Sequence, residues 1–354
     1  MCGTADHHAQ HCEAVFAHPR PFAGGAIDPI ALAPVDEVRV IVLVDNVIDS
    51  LLTDKGPAKR TPTGQLPMIA APQFEGGSTR NPLVAEHGFS ALVSVRRGER
   101  SHTLLFDTGI SPDGMAGNME RLGIDAGAIE AIILSHGHFD HAGGLDGLAR
   151  LRRRSGLPIT LHPLVWTRRR LAVPGRPPFE LPTLSRHGIE GEGFTVVERR
   201  EPSLLLDDAV LITGEVDRTT EFETGMRFHQ AFHDGSWIED PWILDDQALV
   251  VNVRGRGLVV LTGCGHAGAV NIARSALRLT GVDHLHALLG GFHLTGHGFE
   301  EIIEPTIAAL TELAPEVIVP AHCTGWKAQH RLAATLPDAF IPNAVGTVYT
   351  LTAA

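Results

Sequence analysis

The sequence predicts a four-layer α/β fold, in which two mixed β-sheets pack face to face and helices cover their outer surfaces. One hairpin pattern occurs in each half of the chain, and each is followed by alternating strand and helix patterns. Several strand patterns are continuous aliphatic runs, which are typical of strands buried on both faces. With 354 residues, 44% of them hydrophobic, the chain also has enough apolar surface for a large core.

In the first half, the run VRVIVLV at 38–44 predicts a buried strand. Residues 52–86 are dense in Pro, Gly, Thr and Lys, which favours a long loop. Two apolar runs at 89–95 and 102–109 flank the polar turn RRGER, and this spacing predicts a hairpin. The alternating elements that follow are helix 115–122, strand 131–135, a helix from Gly144 to about Arg154, and strand 158–162.

Residues 163–246 mix Pro-rich, Arg-rich and acidic pieces around one short strand pattern at 209–213. We interpret them as an inserted region that covers a substrate site. Beyond them we expect a second hairpin, 248–253 and 257–263, then helix 268–279, strand 286–291, helix 299–313, strand 316–322 and helix 326–336. The prediction is therefore one domain over 37–354, preceded by a Pro-, Gly- and His-rich tail or strap at 1–36.

The charge balance excludes some classes of partner. The chain has 29 basic and 41 acidic residues, a net charge of −12, so its field would repel nucleic acid and anionic membranes. A local basic patch at Arg150 and 152–154 is the exception. The start of the chain lacks a signal-peptide pattern, and the four cysteines form no disulfide framework. We expect a reduced, cytoplasmic protein with a small-molecule partner, and whether it forms a homo-oligomer stays open.

Histidine is the residue type that predicts chemistry. There are 20 His, and the segment ILSHGHFDHAGGL places His136, His138, Asp140 and His141 directly after a buried strand. A turn at a strand end holds its backbone firmly, so these side chains can converge on one point. Three imidazoles and a carboxylate suit zinc, with iron or manganese as alternatives. The segment therefore predicts a site for one or two metal ions.

The pattern His-x-His-x-Asp-His after an apolar strand resembles the signature of the metallo-β-lactamase superfamily. Further matching motifs occur in the family's order, namely EHGFSALV (86–93), LLFDTG (104–109), Asn118, LTGCGHAGAVNIA (261–273), GGFHL (290–294) and PAHCTGW (320–326). Together they resemble the dihydropterin-synthase-like branch, whose archaeal member joins a dihydropterin to a ribofuranosyl-aminobenzene phosphate. The resemblance covers about 250 residues and implies the αββα sandwich of that superfamily.

The resemblance also implies ligands. His136 and His138 would hold a first metal, and Asp140 and His141 a second, which His322 would complete. The bridging carboxylate of the superfamily is absent, because the strand that usually ends in Thr-Gly-Asp ends here in LTGCGH.

Two positions of the implied ligand set stay open. We favour His266 to fill the place of the bridging carboxylate, with Cys264 as the alternative. Glu215 is a candidate for the mid-chain ligand of the family, and a solvated glutamate is the other interpretation.

Other residues carry weaker hypotheses. Asp107 is interpreted as a turn or supporting carboxylate, and His87 and His293 as residues that line the site or only end strands. Cys323 and Thr324 would contact substrate or form a turn. Residues Cys2, His7, His8, His11 and Cys12 form either a metal tract or a disordered tail. Arg168, Arg169 and Arg170 would bind a substrate phosphate or carboxylate, or lie on a solvated face.

The predicted function is a metal-dependent hydrolase of an ester, lactam or phosphoester. A bound metal lowers the pKa of water from about 15.7 toward 7, and Asp140 would orient that water or accept its proton. The alternative implied by the resemblance is a dihydropterin-type transferase. A ligand-sensing domain without catalysis is the third hypothesis, and an open ligand set argues against it.

Overall fold

Two β-sheets packed face to face, with helices outside, form the frame of the molecule. The computed structural model describes residues 28–152, 155–296 and 298–354. The greater part of the predicted tail, including its cysteines and histidines, lies outside the described residues, as do Arg153 and Arg154.

The strands of the described residues, in chain order, are β1 (Glu37–Val44), β2 (Ala58–Lys59), β3 (Met68–Ala70), β4 (Ser78–Arg80), β5 (Ser90–Arg97), β6 (Arg100–Phe106), β7 (Ala131–Ile133), β8 (Leu157–Leu161), β9 (Arg169–Leu171), β10 (Phe179–Glu180), β11 (Phe194–Glu198), β12 (Ser203–Leu205), β13 (Val210–Ile212), β14 (His229–His233), β15 (Ser236–Glu239), β16 (Leu249–Val253), β17 (Gly257–Thr262), β18 (Leu285–Gly291), β19 (Val317–Ala321) and β20 (Val348–Thr352). The α-helices are α1 (Gly114–Leu122), α2 (Leu145–Arg152), α3 (Arg186–Gly191), α4 (Ala269–Thr280), α5 (Ile303–Leu313) and α6 (Trp326–Thr335).

The two large sheets have the same internal plan. The first runs β11-β8-β7-β6-β5-β1-β20-β2, and the second runs β12-β13-β16-β17-β18-β19. In the first, the antiparallel hairpin β5–β6 is followed by parallel β7 and β8, and in the second β16–β17 is followed by parallel β18 and β19. The predicted sandwich of two mixed sheets is therefore confirmed.

The core lies between the sheets, where aliphatic side chains of both inner faces meet. Val40 and Phe106 of the first sheet belong to the same buried cluster as Val251, Leu261 and Leu289 of the second. A further cluster packs α4, α5 and α6 on the second sheet, and another packs α1 and α2 on the first. Burial of these apolar surfaces is the main stabilising contribution, and it fixes the distance between the sheets.

Three regions differ from the sequence-based expectation. Residues 52–86 contain the short hairpin β3–β4, and β20 lies between β1 and β2 although no strand was predicted there. Residues 163–246 contribute β11, β12 and β13 to the two large sheets. They also form a separate four-stranded sheet in the order β10-β9-β14-β15.

Within the described part of the chain, no helix is both long enough and apolar enough to cross a bilayer.

A loop at 245–247 connects the edges of the two large sheets. Gln247 donates from its backbone N–H to the Ser135 carbonyl and from Nε2 to the Leu134 carbonyl, both at 2.9 Å. Asp246 accepts a hydrogen bond of 2.7 Å from the Ala267 N–H. The loop thus joins the end of β7 to the turn that follows β17.

We predict that Asp246→Asn stabilises the metal-free protein more at alkaline than at acidic pH. Burial raises the pKa of Asp246 from 3.8 to about 7. A raised carboxyl pKa lowers the free energy of unfolding progressively as pH rises from 4 to 7, because the folded state must then hold a buried charge. The amide keeps an acceptor oxygen without that charge. The gain in the free energy of unfolding from the substitution should therefore be about 3 kcal/mol larger at pH 8 than at pH 5.

Urea unfolding at both pH values, in the presence of a chelator, measures this gain. The exposed Asp338→Asn is the matched control and should show no such trend. An Asp246→Asn gain that is the same at both pH values would contradict the prediction.

Candidate metal centre

The predicted ligands lie where buried strands end. The segment with His136, His138, Asp140 and His141 follows β7, His266 follows β17, and His322 follows β19. Since the parallel strands of each sheet end at one edge, and the two sheets face each other, these side chains meet in a single place. All of them are buried.

Two groups of side chains in this place could each hold a metal ion. The three-histidine group is His136, His138 and His266, and the mixed group is Asp140, His141, Cys264 and His322. Within each group, one ligand atom per residue lies within 4.8 Å of all the others. Cys264 also lies this close to both His266 and His293, so the two groups adjoin.

The choice between Cys264 and His266 is therefore not exclusive. His266 lies with His136 and His138, while Cys264 lies with Asp140, His141 and His322. Glu215, the candidate for the mid-chain ligand, belongs to neither group. Glu215 itself hydrogen-bonds Arg200 and lies 3.3 Å from Nε2 of His162, away from both groups.

In His136 the outer nitrogen, meaning the ring nitrogen that faces away from the ligand group, is Nδ1. It is held by a chain of hydrogen bonds. Ser135 donates its hydroxyl proton to Asp107 Oδ2 at 2.7 Å, so its oxygen accepts from His136 Nδ1 at 2.9 Å. In a neutral ring Nε2 of His136 is then the bare nitrogen. A Cβ on Gly263 would lie 2.1 Å from Ser135 Oγ, and thus only glycine lets this strand end approach so closely.

His141 and His322 are held in the same way. Asp107 Oδ2 accepts from His141 Nδ1 at 2.7 Å, and Asn46 Oδ1 accepts from His322 Nδ1 at 3.0 Å. Nε2 of His141 consequently points inward, 3.2 Å from Cys264 Sγ, and Nε2 of His322 lies 3.4 Å from Asp140 Oδ2. Carboxylate or amide partners of this kind orient imidazoles that ligate metals.

Buried ring nitrogens without a hydrogen-bond partner show that the site fits a cation. Nε2 of His136, Nε2 of His322 and both ring nitrogens of His266 are buried and unpaired. Leaving such atoms unpaired is costly, and a metal ion satisfies bare imidazole nitrogens. The donor set of the two groups therefore suits a divalent metal.

The electrostatic surroundings favour, for most of these groups, the protonation state that can ligate a metal. Burial lowers the pKa of His136, His138 and His266, so these rings are neutral. Burial would also lower the pKa of His141, but Asp107 and Asp140 raise it to about 9. Burial would raise the pKa of Asp140, yet His141 and His322 hold it well below its ordinary value.

The weaker candidates have different surroundings. His87 is exposed at the rim, with Nε2 3.6 Å from Asp140 Oδ2. The rings of His293 and His266 contact each other at a tilt, with their centroids 4.3 Å apart. Cys323 is buried and donates to the Cys264 carbonyl. The three arginines do not form one anion site. Arg168 pairs with Glu180, Arg169 is buried between Asp240 and Asp245, and Arg170 contacts Gln230 and Trp237.

Sequence reasoning named Asp107 as a supporting carboxylate but missed the other partners of the ligands. Ser135 was interpreted only as a strand end, and Asn46 follows β1 without any motif. His229 lies in β14, within residues 163–246, and its Nε2 is 3.1 Å from Nε2 of His138. The alternation of His229, Ala231 and His233 is a weak strand signal that could have placed His229 on one face of a strand.

Comparison with protein families agrees with this geometry. A family model described as the metallo-beta-lactamase superfamily matches residues 87–322. The match begins at His87 on the rim and ends at His322 of the mixed group.

Two curated relatives come from the archaeon Methanocaldococcus jannaschii. One is named 7,8-dihydropterin-6-methyl-4-(beta-D-ribofuranosyl)-aminobenzene-5'-phosphate synthase. It is 31% identical over 259 residues, which cover 71% of this chain and 85% of the relative. The other is an uncharacterised protein, 27% identical over 253 residues, covering 70% of this chain and 88% of that protein.

A solved structure is also similar. The crystal structure of Tm1679, a metal-dependent hydrolase of the beta-lactamase superfamily, gives a TM-score of 0.65 at 26% identity. The alignment covers 89% of this chain and 99% of that one.

We predict that Asp107→Asn weakens metal binding about 10- to 100-fold. The amide loses the charge that favours a donating Nδ1 on His141, and it can no longer fix His141 and Ser135 together. Competition with a chromophoric chelator measures the affinity for Zn²⁺. Asp113→Asn, whose side chain is 90% exposed, is the control and should bind like the wild type. Equal affinities of all three proteins would contradict the prediction.

We further predict that Cys264→Ser abolishes the thiolate-to-metal charge-transfer band of the Co²⁺-loaded protein. Burial raises the pKa of the free Cys264 thiol, but ligation by a cation favours the thiolate. The matched control is Cys323→Ser, in which a hydroxyl can still donate to the Cys264 carbonyl. A band that survives in Cys264→Ser, or disappears in the control instead, would show that Cys264 is not a ligand.

Proposed function

Because this chain belongs to the metallo-β-lactamase superfamily, we propose that it is a metal-dependent hydrolase of a small-molecule ester, lactam or phosphoester. The observation that carries the proposal is the pair of adjoining ligand groups. In them Nδ1 of His136, His141 and His322 is held by a hydrogen bond, while Nε2 of His136 and of His322 has no hydrogen-bond partner.

We assign one metal to each group, with zinc as the ion that suits both. His136, His138 and His266 would hold the first and leave a coordination position open, as catalytic zinc sites do. Asp140, His141, Cys264 and His322 would hold the second with four ligands, one of them a soft thiolate. When bound, the metal supplies a low-pKa water and stabilises the negative charge that develops on the reacting group.

The protein's own residues then orient the substrate and the attacking water. Asp140 keeps its negative charge beside His141 and His322, and a carboxylate of such low basicity orients hydrogen-bond donors more than it removes protons. His87 accepts from Asn46 at Nδ1, so its Nε2–H points toward Asp140 at the rim. An exposed donor at this position is suited to contact a substrate as it enters.

The second candidate function is a group transfer in which an aminobenzene compound replaces water as the acceptor. It is favoured by the name of the relative that is 31% identical, a synthase that carries both a dihydropterin and an aminobenzene in its product. The same ligand groups would serve both reactions, since the candidates differ in the acceptor.

We expect purified protein to bind metal and to lose both metal and activity when His266 is changed to Ala. The assay compares carboxylic esters, lactams and phosphodiesters with a dihydropterin diphosphate plus an aminobenzene acceptor. Removal of one of three neutral imidazoles should lower kcat at least 100-fold on whichever substrate reacts.

The exposed His330→Ala is the control and should keep the metal content and the rate of the wild type. Product from the pterin pair without hydrolysis of the other compounds would favour the transferase. Equal metal content in wild type and His266→Ala would contradict the assignment of the first metal.

A further inference from the structure

His229 comes from the inserted region and touches the ligand His138. The strand β14 places it 1% exposed, with its Nε2 3.1 Å from Nε2 of His138. Its other nitrogen, Nδ1, lies 2.8 Å from the backbone carbonyl of Asp240. His229 therefore bridges a metal ligand and the backbone of its own sheet.

The protons of this bridge follow from the chemistry of its ends. A carbonyl oxygen only accepts, so Nδ1 of His229 must carry the proton that it donates to Asp240. In the tautomer of His229 whose single ring proton is on Nδ1, Nε2 accepts from Nε2–H of His138. A neutral His138 with its proton on Nε2 has its lone pair on Nδ1, which is the nitrogen left for a metal.

The same region contacts the ligand segment at the preceding residue. Asp245 Oδ2 accepts from the Gly137 N–H at 2.8 Å. Arg169 of β9 holds this carboxylate with two hydrogen bonds, of 2.9 and 2.5 Å, and also lies 3.5 Å from Asp240. All of these groups are buried, so the inserted sheet is fastened to Gly137 and His138 together.

The outer partners of the other held ligands come from elsewhere. His136 and His141 are held through Asp107, after β6, and His322 through Asn46, after β1. His138 is the one among these four whose outer nitrogen is held by residues 163–246.

We propose that His229 is a positioning residue that fixes the ring of His138 for the first metal, which makes the inserted region a part of the metal centre. The inference rests on the proposed metal assignment. Loss of such an outer partner lowers metal affinity about 10- to 100-fold. Because the ligand that His229 contacts, His138, belongs to the three-histidine group, the loss should be confined to the first metal.

Titration of the metal-free protein with Co²⁺ separates the two sites. The thiolate charge-transfer band reports Co²⁺ at the second site, which Cys264 would ligate. The visible ligand-field bands of the other bound Co²⁺ ion report the first site. In His229→Phe we expect first-site binding 10- to 100-fold weaker with the thiolate band unchanged. In His229→Gln, whose amide oxygen can accept from His138, the loss should be smaller.

The matched control is His187→Gln, an exposed histidine on α3 of the same region, which should bind both ions like the wild type. Unchanged first-site affinity in His229→Phe, or an equal loss at both sites, would overturn the proposal. If the wild-type protein binds no Co²⁺ at all, the metal assignment itself fails. If it binds two ions and His229→Phe binds both with the affinities of the wild type, only the role of His229 fails.

Discussion

One buried carboxylate, Asp107, sets the geometry on which the rest of the centre depends. It lies at the end of β6 in the left-handed region, with φ 56°, and is fully buried. It accepts from the backbone N–H and the hydroxyl of Ser135 and from Nδ1 of His141. Two ligands in different groups, His136 and His141, are thereby oriented by one charge. Because Asp107 is fixed at the end of β6, the orientation of both imidazole rings is fixed as well.

Much of the frame could be predicted from local pattern. Aliphatic runs such as 38–44 and 257–263 form buried strands because such side chains are stable between two layers. The six positions from His136 to His141 identified the site, because they supply two donors to each of the two ligand groups. His322, directly after β19, was identified only through the family resemblance.

The remainder depended on contacts between distant segments, which a local pattern does not contain. Whether Cys264 or His266 faces a given group depends on the path of the turn after β17, and the two side chains point to neighbouring groups. His229 reaches His138 across 91 positions, from a region whose sheet has no clear strand signal. The outer partners Ser135 and Asn46 are ordinary residues whose role exists only in the assembled fold.

The position of β20 has a consequence for how the molecule is made. β1 pairs with β20 on one side, with Glu37 opposite Thr352. These two strands are neighbours in the interior of the first sheet, yet they lie about 300 residues apart in the chain. During translation, β1 emerges long before that neighbour and leaves a row of unsatisfied amides and carbonyls exposed. The first sheet can therefore be completed only late in synthesis, after β20 has been made.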